Sequence, residues 1–138
     1  MAKTKLFVSF DFDNDKKLKH AIVAQARQAG SPFEISDFSL KEAAKQSEWQ
    51  RKARGAIARA DKMVILLGPR TRFAPGVQKE VALAREVGTP CFQLVGYADG
   101  SSAWAVPNGG RTYKWTWENL ETQLAPPRRS FAQWFLGE

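Results

Sequence analysis

The chain has 138 residues, of which 43% are hydrophobic and 25% charged, the size and balance of one soluble globular domain. No apolar run approaches the roughly 20 residues of a membrane span, and Met1–Lys5 leads into an apolar stretch too short for a secretion signal, so a cytoplasmic protein is predicted. One cysteine excludes an internal disulfide, one histidine leaves a histidine metal site or a Ser-His-Asp triad short of parts, and the net charge of +7 is scattered with no nucleic-acid motif beside it.

The first apolar run, Lys5–Phe10, reads as a strand covered on both faces, the pattern of a parallel sheet. Asn14 or Asp15 then caps a helix that runs to Gln28 and stops at Gly30, with Leu18, Ile22 and Ala29 on one face. Phe33–Ile35 is a weaker strand. A second helix, about Ser47 to Ala60, turns Trp49, Ala53, Ile57 and Ala60 inward. Met63–Leu67 is the third strand. A helix from Pro75 to Val87 follows, ended by Gly88-Thr89-Pro90. Pro90–Val95 is the next strand, and Cys91 within it reads as a buried small hydrophobe. His20 falls on a solvated helix face. This alternation predicts a three-layer, doubly wound α/β domain with a parallel sheet.

Beyond Val95 the composition changes. Tyr97–Gly110 is rich in Gly, Ser, Asn and Asp and reads as loops around a short strand, Ala103–Val106. Thr116 caps a last helix, Trp117 to about Leu124, which Pro126-Pro127 ends. Residues 1–125 form the domain, and the amphipathic tail 126–138 is expected to fold back onto it.

In open α/β sheets, ligands bind beyond the carboxyl ends of the strands. Three such ends carry polar chemistry: Ser9 to Asp15, Ser36 to Ser39, and Gly68 to Phe73. Neither a G-x-G-x-x-G nor a G-x-x-x-x-G-K-[ST] motif is present, which argues against a dinucleotide dehydrogenase or an NTPase. The aspartates after the first strand would repel a flavin phosphate. Glu80 stands out: helical geometry places it in the apolar arc of the third helix, between Val77 and Val87. A carboxylate there is either a working group or one half of a structural ion pair or cap.

The order of these features resembles the bacterial and archaeal TIR-like domains of the Thoeris antiphage type. The resemblance rests on Leu6-Phe7-Val8-Ser9-Phe10 followed by acids, then Asp37-Phe38-Ser39, Trp49 opening a basic helix, Ala60-Asp61-Lys62-Met63-Val64-Ile65-Leu66-Leu67-Gly68-Pro69, and Glu80 before Gly88-Thr89-Pro90. It covers about residues 3–97. It implies a flavodoxin-like fold and cleavage of the nicotinamide–ribose bond of NAD, with NAD as substrate and no bound cofactor or metal. In some such domains the ADP-ribose is cyclised into a signal for a downstream effector. It also implies a homo-oligomer on activation, since such pockets are often completed by a second subunit. Glu80 takes the place of the family's catalytic glutamate, and Phe10, Asp11, Ser36 and Asp37 match pocket positions. Relatives often carry a tryptophan shortly before the glutamate. Here Phe73-Ala74-Pro75-Gly76-Val77-Gln78-Lys79 has none, so Phe73 is the candidate to stack on nicotinamide. Trp49 is either a second aromatic of the site or core. The alternatives are a TIR-like interaction module without activity and a nucleotide-binding signalling receptor.

Overall fold

The computed structural model describes residues 3–39, 46–97 and 104–125. It is an α/β domain built on one parallel sheet of five strands: β1 (Thr4–Ser9), β2 (Phe33–Phe38), β3 (Lys62–Leu67), β4 (Cys91–Val95) and β5 (Thr112–Lys114). Their order across the sheet is β2-β1-β3-β4-β5, the doubly wound flavodoxin-like order, with its switch point between β1 and β3. The helices among the described residues are α1 (Lys16–Ala26), α2 (Gln46–Arg59), α3 (Pro75–Val87) and α4 (Trp117–Leu124).

Two hydrophobic cores follow from the two-residue alternation of the strands. Leu6, Val8, Val64, Leu66, Phe92 and Leu94 point to one face, where Leu18 and Ile22 of α1 and Leu120 and Leu124 of α4 cover them. Phe7, Met63, Ile65 and Leu67 point to the other, under Ile57 of α2, Ala60 just after it, and Val77, Val81 and Ala84 of α3. This double cover explains the continuous apolar runs of β1 and β3. Trp49 and Ala53 are buried as the α2 pattern predicts. Among the described residues no helix is long and apolar enough to cross a membrane.

The helix stop signals act as read for α3. Pro75 occupies its first turn, and Gly88 closes it in the left-handed conformation (φ 81°) that favours glycine. α4 starts on Thr116, whose hydroxyl accepts from the Asn119 N–H at 3.1 Å. α1 is shorter than predicted: it ends at Ala26, which packs on the core, and Ala29 is exposed beyond it. The C-terminal tail, residues 126–138, lies outside the described residues.

The predicted strand at Ala103–Val106 is not seen, Ala103 being outside the described residues and Trp104–Val106 irregular. The fifth strand is Thr112–Lys114 instead, a three-residue edge with little apolar signal. Val106 is nonetheless buried, because Gln93 of β4 treats it as a strand partner. The Gln93 side chain accepts from the Val106 N–H (2.8 Å) and donates to the Val106 carbonyl (3.0 Å). One amide side chain thus supplies the two bonds a ladder would have given. Cys91 is only half-buried, enough to push its thiol up to about 11, away from the reactive thiolate range.

Candidate functional site

The polar chemistry of the carboxyl edge converges at the switch point. A cleft of about 380 Å³ opens there between the loop after β1 and the first turn of α3. Glu80 forms its floor and is 0% exposed.

Glu80 reaches the cleft because α3 buries one stripe, Val77, Glu80, Val81 and Ala84, against the sheet. The residue it meets on the sheet is Ser9, which follows Phe7 by two positions and therefore shares its face. The Ser9 hydroxyl donates to Glu80 Oε1 at 2.8 Å, and Ser39 donates to the same oxygen at 2.5 Å. Ser39 is itself fixed: its Oγ accepts from the Phe10 N–H (3.0 Å), and its own N–H donates to the Val8 carbonyl (2.8 Å).

Ser39 faces Glu80 because β2 contains a bulge. Leu6 pairs with Ile35, but Phe7 pairs with Asp37, which leaves Ser36 as an extra residue in the strand. Up to Ile35 the odd-numbered positions face α1 and α4. After the bulge the parity flips: Phe38 keeps that face, while Asp37 and Ser39 turn to the side of Glu80. The Ser36 hydroxyl donates to the Leu6 carbonyl at 3.3 Å.

The electrostatics of Glu80 follow from this cage. Burial pushes its carboxyl up to about 7; the two serine hydroxyls oppose the rise and the nearby Asp37 charge adds to it. The ion pairs between described residues are Lys52–Glu48 and Arg54–Glu86, neither of which involves Glu80. Oε2 is buried and has no hydrogen-bond partner among the described residues. Oε1 already accepts two hydrogen bonds, so the proton that Glu80 takes up near neutral pH belongs on Oε2. Removing one hydroxyl is expected to raise the carboxyl further. A Ser39→Ala protein should show the Glu80 side-chain carbon titrating at higher pH by NMR than wild type does, and an unchanged midpoint would mean the hydroxyl does not hold the charged form.

A second buried carboxyl braces the rim. Asp15 accepts from the Tyr97 hydroxyl (3.1 Å) and from Thr71 Oγ1 (3.2 Å), joining the loops after β1, β3 and β4. Desolvation raises its carboxyl above the usual carboxylate range; those hydroxyls oppose the rise and Asp11 adds to it. Thr71 opens the 3₁₀ turn Thr71–Phe73, which is flanked by Arg70 and leads into α3.

Of the residues singled out from sequence, Phe10, Asp11, Phe73 and Glu80 line one cleft. Phe10 and Asp11 are buried, and Asp11 accepts from the Asn14 amide at 2.7 Å. Phe73 is 64% exposed at the rim, with the Arg72 guanidinium 4.7 Å from its ring centre. Asp37 acts on Glu80 through charge rather than contact. Ser36 and Trp49 are not among the lining residues. Ser36 is the bulged residue and spends its hydroxyl on a carbonyl, and Trp49 is buried with Lys79 5.7 Å from its ring centre. Ser9, Ser39 and Arg70 belong to the site and are not in the expected set. The alternation through Phe7 and Ser9 could have found the first, and the broken spacing Phe33, Ile35, Phe38 the second.

No protein-family model matches the chain, and no curated protein matches it in sequence. The fold and site define it as a flavodoxin-like α/β domain with a buried carboxyl cleft at the switch point of its sheet.

Proposed function

We propose that the chain is an NAD-consuming TIR-like enzyme that cleaves the bond between nicotinamide and ribose, with Glu80 as its catalytic residue. The observation that carries this reading is a fully buried carboxyl at the floor of an open cleft whose Oε2 has no hydrogen-bond partner among the described residues. Leaving such an oxygen unsatisfied costs free energy that a purely structural glutamate would have no reason to bear.

The chemistry follows from charge. In NAD the pyridinium nitrogen is positive. As the bond to C1′ breaks, its electron pair goes to nitrogen, neutral nicotinamide leaves, and the positive charge moves onto the ribose as an oxocarbenium-like centre. A carboxylate held beside C1′ and the ribose hydroxyls stabilises that centre, the logic of glycoside cleavage. Water then adds to C1′ and releases a proton, giving ADP-ribose. Attack by an atom of the ADP-ribose itself gives a cyclic product one water lighter, suited to act as a signal for a downstream effector. The two serines keep the carboxylate aimed, since neither has a second hydrogen to spend elsewhere.

The charged form does this work. Release of nicotinamide should therefore rise with pH through a midpoint near 7, the value to which burial brings Glu80. The deciding measurement is nicotinamide release by chromatography at high protein concentration, where a pocket shared between copies would form. Glu80→Gln should lower the rate by roughly 10²-fold or more. Equal release by the two proteins defeats the enzymatic reading.

A further inference from the structure

The cleft is electrically polarised. On the β1 side its lip carries Asp11, Asp13 and the rings of Phe10 and Phe12, which stack with centroids 5.9 Å apart. Lys16 lies 5.3 Å from the centre of the Phe12 ring and forms no ion pair with either acid. On the opposite side the wall is Ala74–Val77, where α3 begins, together with Arg70. α3 is 13 residues long, no side chain caps it, and Pro75 in its first turn has no N–H. The N–H groups of Gly76 and Val77 therefore lack intrahelical acceptors and stand at the positive end of the helix dipole. Arg70 is exposed and has no carboxylate partner among the described residues. Between the two poles lies Glu80, buried, with one oxygen that has no donor among the described residues.

Gly76 and Glu80 are four residues apart, just over one helical turn and about 6 Å along the axis. That spacing suits a ribose whose hydroxyls meet the carboxyl while its 5′-phosphate meets the helix end. Resting on the NAD reading above, we infer that the cleft fixes the direction of its substrate: the cationic nicotinamide ring lies on the β1 lip and not on Phe73, which stands on the Arg70 side, the ribose lies over Glu80, and the adjoining phosphate lies on the N-terminus of α3 and Arg70. A flat cation is suited by aromatic ring faces and carboxylates. A phosphate is suited by free N–H groups at a helix start and by a guanidinium that can bind it through two hydrogens. The reverse orientation would set phosphate against aspartate and pyridinium against arginine, like charges at both ends.

This orientation makes the nicotinamide mononucleotide half of NAD sufficient for recognition; the adenosine half is not required. The probes are the carbocyclic analogues of nicotinamide mononucleotide and of nicotinamide riboside, which keep the cationic ring and lack the cleavable bond. Each is titrated calorimetrically at low ionic strength into wild type and into Arg70→Ala. Wild type should bind the mononucleotide at least about tenfold more tightly than the riboside. Arg70→Ala should close most of that gap by weakening the mononucleotide alone. Asp13→Asn should weaken both ligands by a similar factor, because the ring they share has lost an acid. The orientation is overturned, with the NAD reading intact, if wild type binds both equally, if Arg70→Ala weakens both alike, or if neither binds while NAD is still cleaved. Should neither bind and no nicotinamide be released from NAD, both readings fall together.

Discussion

At pH 8 the Glu80→Gln protein is expected to melt roughly 5–10 °C above wild type, and at pH 4 to melt with it. In the folded protein the Glu80 carboxyl is raised to about 7, whereas its ordinary value is 4.5. Below 4.5 the side chain is protonated in both folded and unfolded chains, so the wild type loses nothing. Between the two values the folded chain holds the proton more tightly, and stability falls as pH rises. Above 7 the loss is complete, of the order of 3 kcal/mol. Glutamine never ionises, keeps an oxygen to accept from Ser9 and Ser39, and so escapes that loss. Thermal melts of both proteins from pH 4 to 9 are the measurement. A glutamine protein that is less stable at pH 8 would mean that something in the fold pairs with the carboxylate and stabilises its charge. The same substitution is expected to remove activity while adding stability, which is what a residue kept for chemistry rather than for folding does.

Gly68→Ala should be severely destabilising, by roughly 3 kcal/mol or more, although it adds one methyl group. A Cβ at Gly68 would stand 2.1 Å from Asp15 Oδ2. Asp15 has nowhere to retreat, since Tyr97 and Thr71 hold its two oxygens and it is almost fully buried. Thr71 Oγ1 in turn accepts from the Gly68 N–H at 2.6 Å, so a displaced backbone breaks this bond as well. Urea unfolding of the single and double variants isolates the cause. In an Asp15→Ala background the further cost of Gly68→Ala should drop below about 1 kcal/mol, because the obstructing carboxyl has gone. An equal cost in both backgrounds would place the obstruction elsewhere. The effect should reach the cleft too, because the same hydroxyl anchors the turn that carries Arg70 and Phe73.

Much of this architecture was legible in the residues. Pro75 and Gly88 gave the bounds of α3, the apolar stripe placed Glu80 inward, and continuous hydrophobicity in β1 and β3 required a sheet covered twice. What escaped reading depends on contacts between distant segments. β5 is set by pairing with β4, not by its own Thr-Tyr-Lys composition. Val106 is buried by a glutamine thirteen residues earlier. Ser39 reaches Glu80 only through an irregularity in strand pairing that local propensity does not encode. Trp49, a ring-stacking candidate by residue type, serves the packing of α2 because the helix turns it inward.

The extra residue at position 36 makes β2 a splice between two frames: odd positions feed the core under α1 and α4 before it, and an even position, Phe38, feeds that same core after it. A single codon gained or lost there would remove or restore a hydroxyl partner of the glutamate without altering a letter at Ser39, and would leave Phe33 and Ile35 where they are. An alignment of related chains that runs without a gap across this strand would set Asp37 and Ser39 against hydrophobic core positions and hide the site. Comparison of such chains should therefore be anchored on Val8, Phe38 and Ser39 rather than on the start of the strand.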